Sequence, residues 1–475
     1  MKNISKFLIL FVLMGMYSCE DFLEVNEVGK TSIPTYFSDL DGIRSAVPGA
    51  YSSVYDYYDS EFYLYPQVAG DLLDLVTTAE GVKMVDQYNF TSEPAQEVTA
   101  VGHIWSNGLL ALANTNNILK YQPELLNKYP DNQSELQQIK AQALFLRALI
   151  HFDLVRTYAQ NYSFTQDADH IGVPVLLELP GADDNVGRSS VNQVYEQILS
   201  DLIEAENIFD TEGMSTNQGL PYFASDVAVK ALLSRVYLYM EDWGKSQEYA
   251  QLVLSQIELT PHEAYVSMFR TLQPGREAIF ILNGTERNSD VQRFYSVAGP
   301  AAFASEKLKT MFNDTLDVRL KLFTQNAGEG NMATLKYSRP GVEETSYGSD
   351  LHVIRGSEVV LNLAEASANL NQLEEAKSAL KLIQSRAYGI PADTIDIEVE
   401  SKEALLDLIT LERAKELCFE GHRFFDITRR HKDLVRSSQT SSSVERLDYP
   451  SNLFVLPIPL SEMNTNDNMV QNEGY

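Results

Sequence analysis

The sequence predicts a mainly α-helical protein, in which tetratricopeptide-like helix pairs form a helical scaffold with long loops and a few short strands. Three observations carry this. Apolar residues recur at helical spacing from about Val101 onward, as Ile104, Leu109, Leu112 and Leu119, and again as Ile139, Ala143, Leu146, Leu149, Phe152 and Val155. Two stretches, 226–257 and 358–388, each read as a helix, a short break and a second helix, the length of one tetratricopeptide unit. Between them, residues 259–355 mix Pro274-Gly275, Gly284, Gly299-Pro300 and Pro340-Gly341 with short apolar runs such as Ala278 to Leu282, the pattern of loops and small strands.

Taken from the N-terminus, Lys2 and Lys6 precede the apolar run Phe7 to Met14. That run is too short to cross a hydrocarbon core, which needs about 20 residues, so residues 1–18 read as a secretory signal. Cys19 follows Ser18 at the place of a bacterial lipobox, where the thiol is acylated; Met16 and Tyr17 depart from the strict pattern. Glu20 and Asp21 resemble the acidic export signal of surface lipoproteins. The mature part, 19–475, reads as one domain. It has a loop-rich part, 20–100, with turns at Pro34, Pro48-Gly49 and Pro66, and a helical core, 101–258 and 356–435. Residues 259–355 form a loop-rich insert, and 450–475 an extended tail. Ser190 caps the helix that runs to Phe209. Small residues, Ala228 and Ala231 in one pair and Ala364 and Ala366 in the other, sit where paired helices approach closely. The breaks fall at Asp242-Trp243-Gly244 and near Asn369-Leu370-Asn371. Pro457 and Pro459 keep the tail extended, and it ends on Gln471-Asn472-Glu473-Gly474-Tyr475.

Charge and cysteine usage exclude several classes. With 37 basic against 66 acidic residues, a net −29, the chain lacks the basic footprint of a nucleic-acid binder. Electrostatic adhesion to anionic lipid is equally disfavoured. If Cys19 carries lipid, Cys418 has no disulfide partner, so stability must come from core burial. Seven histidines show no H-E-x-x-H pattern, Cys418 has no cysteine at metal-ligand spacing, and neither a G-x-S-x-G elbow nor a phosphate-binding loop is present. No cofactor, metal or catalytic residue is expected, and His103, His151 and His422 read as packed or surface side chains.

Five segments in order along the chain, 141–174, 228–243, 355–369, 411–429 and 457–475, together resemble the SusD/RagB family of outer-membrane nutrient-binding lipoproteins. AQALFLRALIHFDLVRTY at 141–158, with Gly172-Val173-Pro174 after it, is similar to the family's "A-x-FLRA…Y…VP" stretch, although residues 159–172 lengthen the usual turn. Residues 228–243 resemble its "A-x-x-LL-x-R-V-Y-L" helix and "D-W" turn, and 355–369 its "R-x-x-E-x-x-L-x-x-AEA". LERAKELCFEGHRFFDITR at 411–429 resembles "ER-x-x-E-x-x-x-EG-x-R-x-x-D-x-x-R", and the tail its "P-I-P…QN-x-GY". Glu412, Glu416 and Glu420 share a helix face with Arg413 beside them, and paired carboxylates can do acid–base work. The resemblance makes this cluster, with Arg423, Asp426 and Arg429, a structural signature instead, and the chain not an enzyme.

The resemblance further implies a lipid-anchored protein at the cell surface of the outer membrane. It would capture an oligomeric nutrient, a glycan or, as in the RagB branch, a peptide, and pass it to a SusC-type TonB-dependent transporter. A purely structural lid on that transporter is the other role it leaves open. A sugar site needs flat apolar faces ringed by directed hydrogen-bond groups. Trp105 and Trp243 both read as core, so the platform falls to other aromatics. Six tyrosines crowd into the 15 residues from Tyr51 to Tyr65. Tyr57, Tyr58, Tyr63 and Tyr65, with Gln67, are the first candidate ligand contacts; packing of Tyr51 and Tyr55 onto the scaffold, with the others facing the transporter, is the alternative. Arg287, Arg293 and Tyr295 form the second candidate, planar donors beside a stacking face.

Overall fold

A computed structural model describes residues 32–77, 82–95, 99–181, 184–212, 220–271, 273–285, 287–325, 331–341 and 348–475. Cys19 and the signal segment lie outside these residues. The longer helices are α1 (Leu40–Tyr57), α2 (Ala100–Lys128), α3 (Gln133–Tyr158), α4 (Val191–Glu212), α5 (Asp226–Tyr239), α6 (Trp243–Leu254), α7 (Gly356–Asn369), α8 (Leu373–Tyr388) and α9 (Lys402–Glu416). Each packs on the next in chain order, so the scaffold is a stack of sequential helices. The two helix pairs expected from the spacing are α5–α6 and α7–α8, and Ala228, Ala231, Ala364 and Ala366 are all buried between helices.

Although residues 255–355 separate them in sequence, α6 and α7 are packed neighbours. The insert leaves and returns through one strand pair. Strand β2 (Ala278–Leu282) runs antiparallel to β6 (Leu351–Arg355), so the chain re-enters the stack where it left. Three further antiparallel pairs are short: β1 (Leu73–Leu75) with β3 (Ala302–Ala304), β4 (Phe323–Gln325) with β5 (Met332–Thr334), and β7 (Leu434–Val435) with β8 (Arg446–Leu447).

Local chemistry sets the helix ends. Ser190 and Gln193 form a reciprocal capping box at the start of α4, since Gln193 N–H donates to Ser190 Oγ (3.2 Å) and Ser190 N–H to Gln193 Oε1 (3.0 Å). Asp242 Oδ1 accepts from Lys245 N–H (3.0 Å) and starts α6 at the expected break. Helix α3 differs from its predicted stripe: from Ala143 to Val155 every residue is buried, because neighbouring helices cover it on all sides. Its polar residues are matched internally. Arg147 clamps Asp201 of α4 in a fork (2.8 and 2.7 Å). His151 accepts from Leu176 N–H (3.1 Å), and burial pushes its pKa down to about 3, so it packs as a neutral ring.

The described part of the 20–100 region holds more helix than its prolines suggested. Pro34 and Pro66 each lie in the first turn of a short helix, where no N–H is needed, and Pro48 lies inside α1. The two tryptophans part company. Trp105 is core, donating to Glu462 Oε2 (3.2 Å), whereas Trp243 is half-buried at the start of α6, which corrects its reading as core.

Beneath the insert lies a buried ionic lattice. Arg355 donates to Glu420 (2.7 and 3.0 Å), Glu277 (2.8 Å), Glu416 (2.6 Å) and the Glu416 carbonyl (2.8 Å). Arg386 bonds Glu277 (3.1 Å) and pairs with Glu416 (2.7 Å). Arg319 bonds Asp317 (2.6 and 2.8 Å) and Glu412 (2.9 Å), Lys336 bonds Glu420 (2.5 Å), and Lys415 pairs with Glu412 (2.7 Å). The cations Arg319, Lys336, Arg355, Arg386 and Lys415 thus balance the anions Glu277, Asp317, Glu412, Glu416 and Glu420. Nearby, Arg235 clamps Glu358 (2.6 and 2.5 Å), Arg413 clamps Asp426 (2.8 and 2.9 Å), and Arg429 reaches Glu365 (2.7 and 2.8 Å). Glu358 and Glu420 are held at a pKa of about 2: burial alone would raise them, but the facing cations win. Such a lattice fixes how insert, α7, α8 and α9 meet more than it adds net stability. The tail motif has an equally concrete role. The Gln471 side-chain amide pairs with both N–H and C=O of Ile458 (2.8 Å each), and Asn472 donates to the carbonyls of Tyr158 and Leu456 (2.8 and 2.7 Å).

Candidate functional site

The two clusters singled out in the sequence meet in space, but not as an aromatic platform. After α1 the chain makes a single wide turn, Tyr58–Phe62, kinked at Ser60 (φ −75°, ψ −127°), which aims successive side chains into the core from different directions. Tyr57 stacks on Phe62 (4.7 Å between ring centres), and Tyr58 donates to Asp153 (2.6 Å). Tyr63 donates to the His352 carbonyl (3.1 Å), while Tyr65 packs edge-on to Phe424. Gln67 is fully buried. Tyr295 stacks on Tyr337 (5.2 Å) with its edge against Phe419. None of these six is more than 3% exposed, so no ring or amide face is open to a ligand. Their assignment as ligand contacts is therefore corrected. Tyrosine joins a large apolar body to a polar tip, and tyrosine density here marks a packed aromatic core, in which Tyr58 and Tyr63 place their hydroxyls on partners while those of Tyr57 and Tyr295 find none among the described residues.

Above this aromatic floor lies the surface that the arginines occupy. Arg287 lies over the Tyr55 ring (4.7 Å) and donates to Asp56 (2.6 Å) and to Ser52, and its side chain keeps 35% exposure. Its loop is seated by close backbone approach. A Cβ on Gly284 would lie 2.1 Å from the Ser349 carbonyl oxygen, and one on Gly348 2.0 Å from the Gly284 oxygen. Gly284 N–H also donates to Asp350 (3.0 Å).

The same loop leads into the short helix Asp290–Phe294, whose start is held by Asp59 on the wide turn. Asp59 accepts from Ser289 Oγ (2.5 Å), Asp290 N–H (2.9 Å) and Val291 N–H (3.3 Å). Burial pushes its pKa up to about 7, against the pull of those hydrogen bonds and of Arg293. Arg293 pairs with Asp290 and extends into solvent; Lys83 bridges Asp290 (2.9 Å) and Glu61 (3.4 Å), and His103 Nδ1 lies 3.1 Å from Glu61. The result is a polar face of paired planar and charged groups: Asp56, Arg287, Asp290, Arg293, Lys83 and His103. It can bind through directed hydrogen bonds. Asp56, Asp290, Lys83, Glu61 and His103 were missed in sequence, because they come from four separate segments and no spacing links them.

The carboxylates that sequence reading weighed for acid–base work lie elsewhere, in the ionic lattice. Glu412, Glu416 and Glu420 each face arginine or lysine and are held below the usual carboxylate range. A general acid needs the opposite shift. Among the described residues no helix is long and apolar enough to cross a membrane.

Comparison with known proteins agrees with this architecture. A family model described as "SusD family" matches residues 323–475, and one described as "Starch-binding associating with outer membrane" matches residues 21–238. SusD-like protein P2 of Formosa agariphila is 23% identical, across 99% of this chain and all of its own length. Crystal structures of SusD superfamily proteins from Bacteroides vulgatus and Bacteroides thetaiotaomicron superpose with a TM-score of 0.79 each, at 26% and 25% identity. They cover 92% and 91% of this chain and 99% of their own. The ordered motifs, the helix stack with its returning insert and these matches lead to one conclusion: the chain belongs to the SusD/RagB family.

Proposed function

We propose that this protein is a surface lipoprotein of the outer membrane, anchored through Cys19, that binds an oligomeric glycan and delivers it to a SusC-type TonB-dependent transporter. The observation that carries the reading is the match of residues 21–238 to a family described as starch-binding and associated with the outer membrane. The polar face is the proposed capture site, with Arg287 and Arg293 as planar donors and Asp56 and Asp290 as acceptors. Each is held by a neighbour before ligand arrives, which lowers the ordering cost of binding. No covalent step is involved, since hydrogen bonds suffice for capture and release.

A structural lid on the transporter is the second reading, favoured by the burial of the tyrosines that would have formed a stacking platform. Calorimetry of the lipid-free chain from Glu20 onward, against neutral oligosaccharides and a peptide library, separates these. Saturable heat with one glycan class, weakened at least tenfold by Arg287→Ala or Arg293→Ala, supports capture at the polar face. Heat with peptides alone moves the protein to the peptide-binding branch. Silence with both leaves the lid.

A further inference from the structure

A second site lies toward the N-terminal end of α1, whose C-terminal end carries Asp56 of the polar face. Helices α1 and α3 run side by side, and each presents four residues at i, i+3, i+4 and i+7: Arg44, Val47, Pro48 and Tyr51 on α1, Glu135, Gln138, Ile139 and Gln142 on α3. All but Tyr51 line, together with Phe223, an open groove of about 300 Å³, at the lower end of the ~300–1,000 Å³ typical of small-ligand sites. Pro48 has no N–H to give the Arg44 carbonyl, which leaves a backbone acceptor without its helical donor on the groove wall.

The Gln142 amide and the Arg44–Glu135 pair are oriented before any ligand arrives. Ala224 N–H donates to Tyr51 Oη (2.8 Å), which in turn donates to Gln142 Oε1 (3.0 Å). That relay fixes the amide, leaving the Gln142 Nε2 donor with no partner among the described residues; the whole Gln138 amide is likewise unbonded there. At one end Arg44 and Glu135 close a fork (2.6 and 2.8 Å) that cancels their charges. Toward the other end Phe223 meets Tyr51 edge to face (5.1 Å, 84°) and keeps 39% exposure. Val47, Pro48 and Ile139 supply the apolar lining between.

We propose that this groove is a second saccharide subsite, taking a short segment of a neutral oligosaccharide. Sugar hydroxyls both donate and accept, as the free amides do, and a pyranose face is apolar enough to lie on Phe223. The neutral Arg44–Glu135 pair gives an ion no net charge to meet. A peptide finds no strand edge to extend, because both walls are helices that leave at most the single Arg44 carbonyl unmatched, and the half-polar lining offers no continuous stripe for an amphipathic helix. A subsite in tandem with the polar face would raise avidity for a long chain over a short one.

Calorimetry with maltoheptaose, laminarihexaose, cellohexaose and mannohexaose, each against its disaccharide, tests this on the lipid-free chain. Phe223→Ala and the double change Gln138→Leu/Gln142→Leu alter half-exposed side chains, and thermal melts check that both variants fold. The expected result is at least tenfold weaker binding of one oligosaccharide in both variants, with residual heat that Arg287→Ala then removes. Loss with Arg287→Ala but none with the groove variants overturns the subsite and leaves the polar face standing. Loss with the groove variants alone keeps the subsite and moves capture to it. Heat from peptides that depends on Phe223, or no heat from any of these sugars at millimolar concentration, also overturns it.

Discussion

Replacing Arg355 by methionine should remove several kcal/mol of folding stability while leaving the core volume nearly filled. Arg355 is 1% exposed and makes five hydrogen bonds to three carboxylates and a carbonyl. Without it the lattice holds four buried cations against five anions, and Glu420 keeps only Lys336. Breaking a buried pair from one side costs about 3–5 kcal/mol, because the stranded charge stays buried. Against a typical stability of about 5–15 kcal/mol, that is a fifth or more. Urea denaturation with linear extrapolation reads it directly. Two controls isolate the charge: adding Glu420→Gln should restore balance and recover at least ~1 kcal/mol. The deficit of Arg355→Met should also shrink from pH 8 to pH 5, as a stranded carboxylate takes up a proton. A loss below about 1 kcal/mol, or a double variant no better than the single, would refute the charge-balance argument.

Other outcomes follow from the same structure. Glu358, Glu420 and Asp71 have folded pKa values of about 2, below their unfolded ones. Their contribution is complete above about pH 5 and is lost as pH falls toward 2, so acid unfolding should fall in that window. Asp59 has the opposite sign: with a folded pKa of about 7 it favours folding below its unfolded pKa near 3.9 and loses this as pH rises. The stability of the wild type relative to Asp59→Asn should therefore decline, by up to ~4 kcal/mol between pH 4 and 7. A flat difference would mean that the hydrogen bonds from Ser289 and Val291 keep it ionised. Ser190→Ala should cost about 1 kcal/mol by thermal melting, through the lost cap of α4. Gly284→Ala should unseat the 283–287 loop and raise proteolytic nicking there, with loss of any binding that depends on Arg287. Cys418 is buried, and burial raises its thiol pKa. In the chain from Glu20 onward it should resist alkylation until the protein unfolds, as mass spectrometry would show.

The sequence by itself determined the helical scaffold. Periodicity, the Asp242 break and the Ser190 cap are local signals, carried by residues within one or two turns of one another, and the strand Ala278–Leu282 was legible as a short apolar run between turn residues. Motif order likewise pointed to the family, because that information is linear. The partners of Arg355 were not legible, since Glu277, Glu416 and Glu420 lie 78, 61 and 65 residues away and only the returning insert brings them together. The tyrosine run misled for a related reason: composition records that rings are dense, not which way a wide turn aims them. Pro48 read as a turn, yet tertiary packing on α2 and α3 holds its helix through the loss of one hydrogen bond. Arg287 and Arg293 were singled out in sequence, but the rest of the polar face and the whole groove were decided by tertiary structure, because each is an adjacency of side chains from distant segments, and a single sequence carries no record of adjacency.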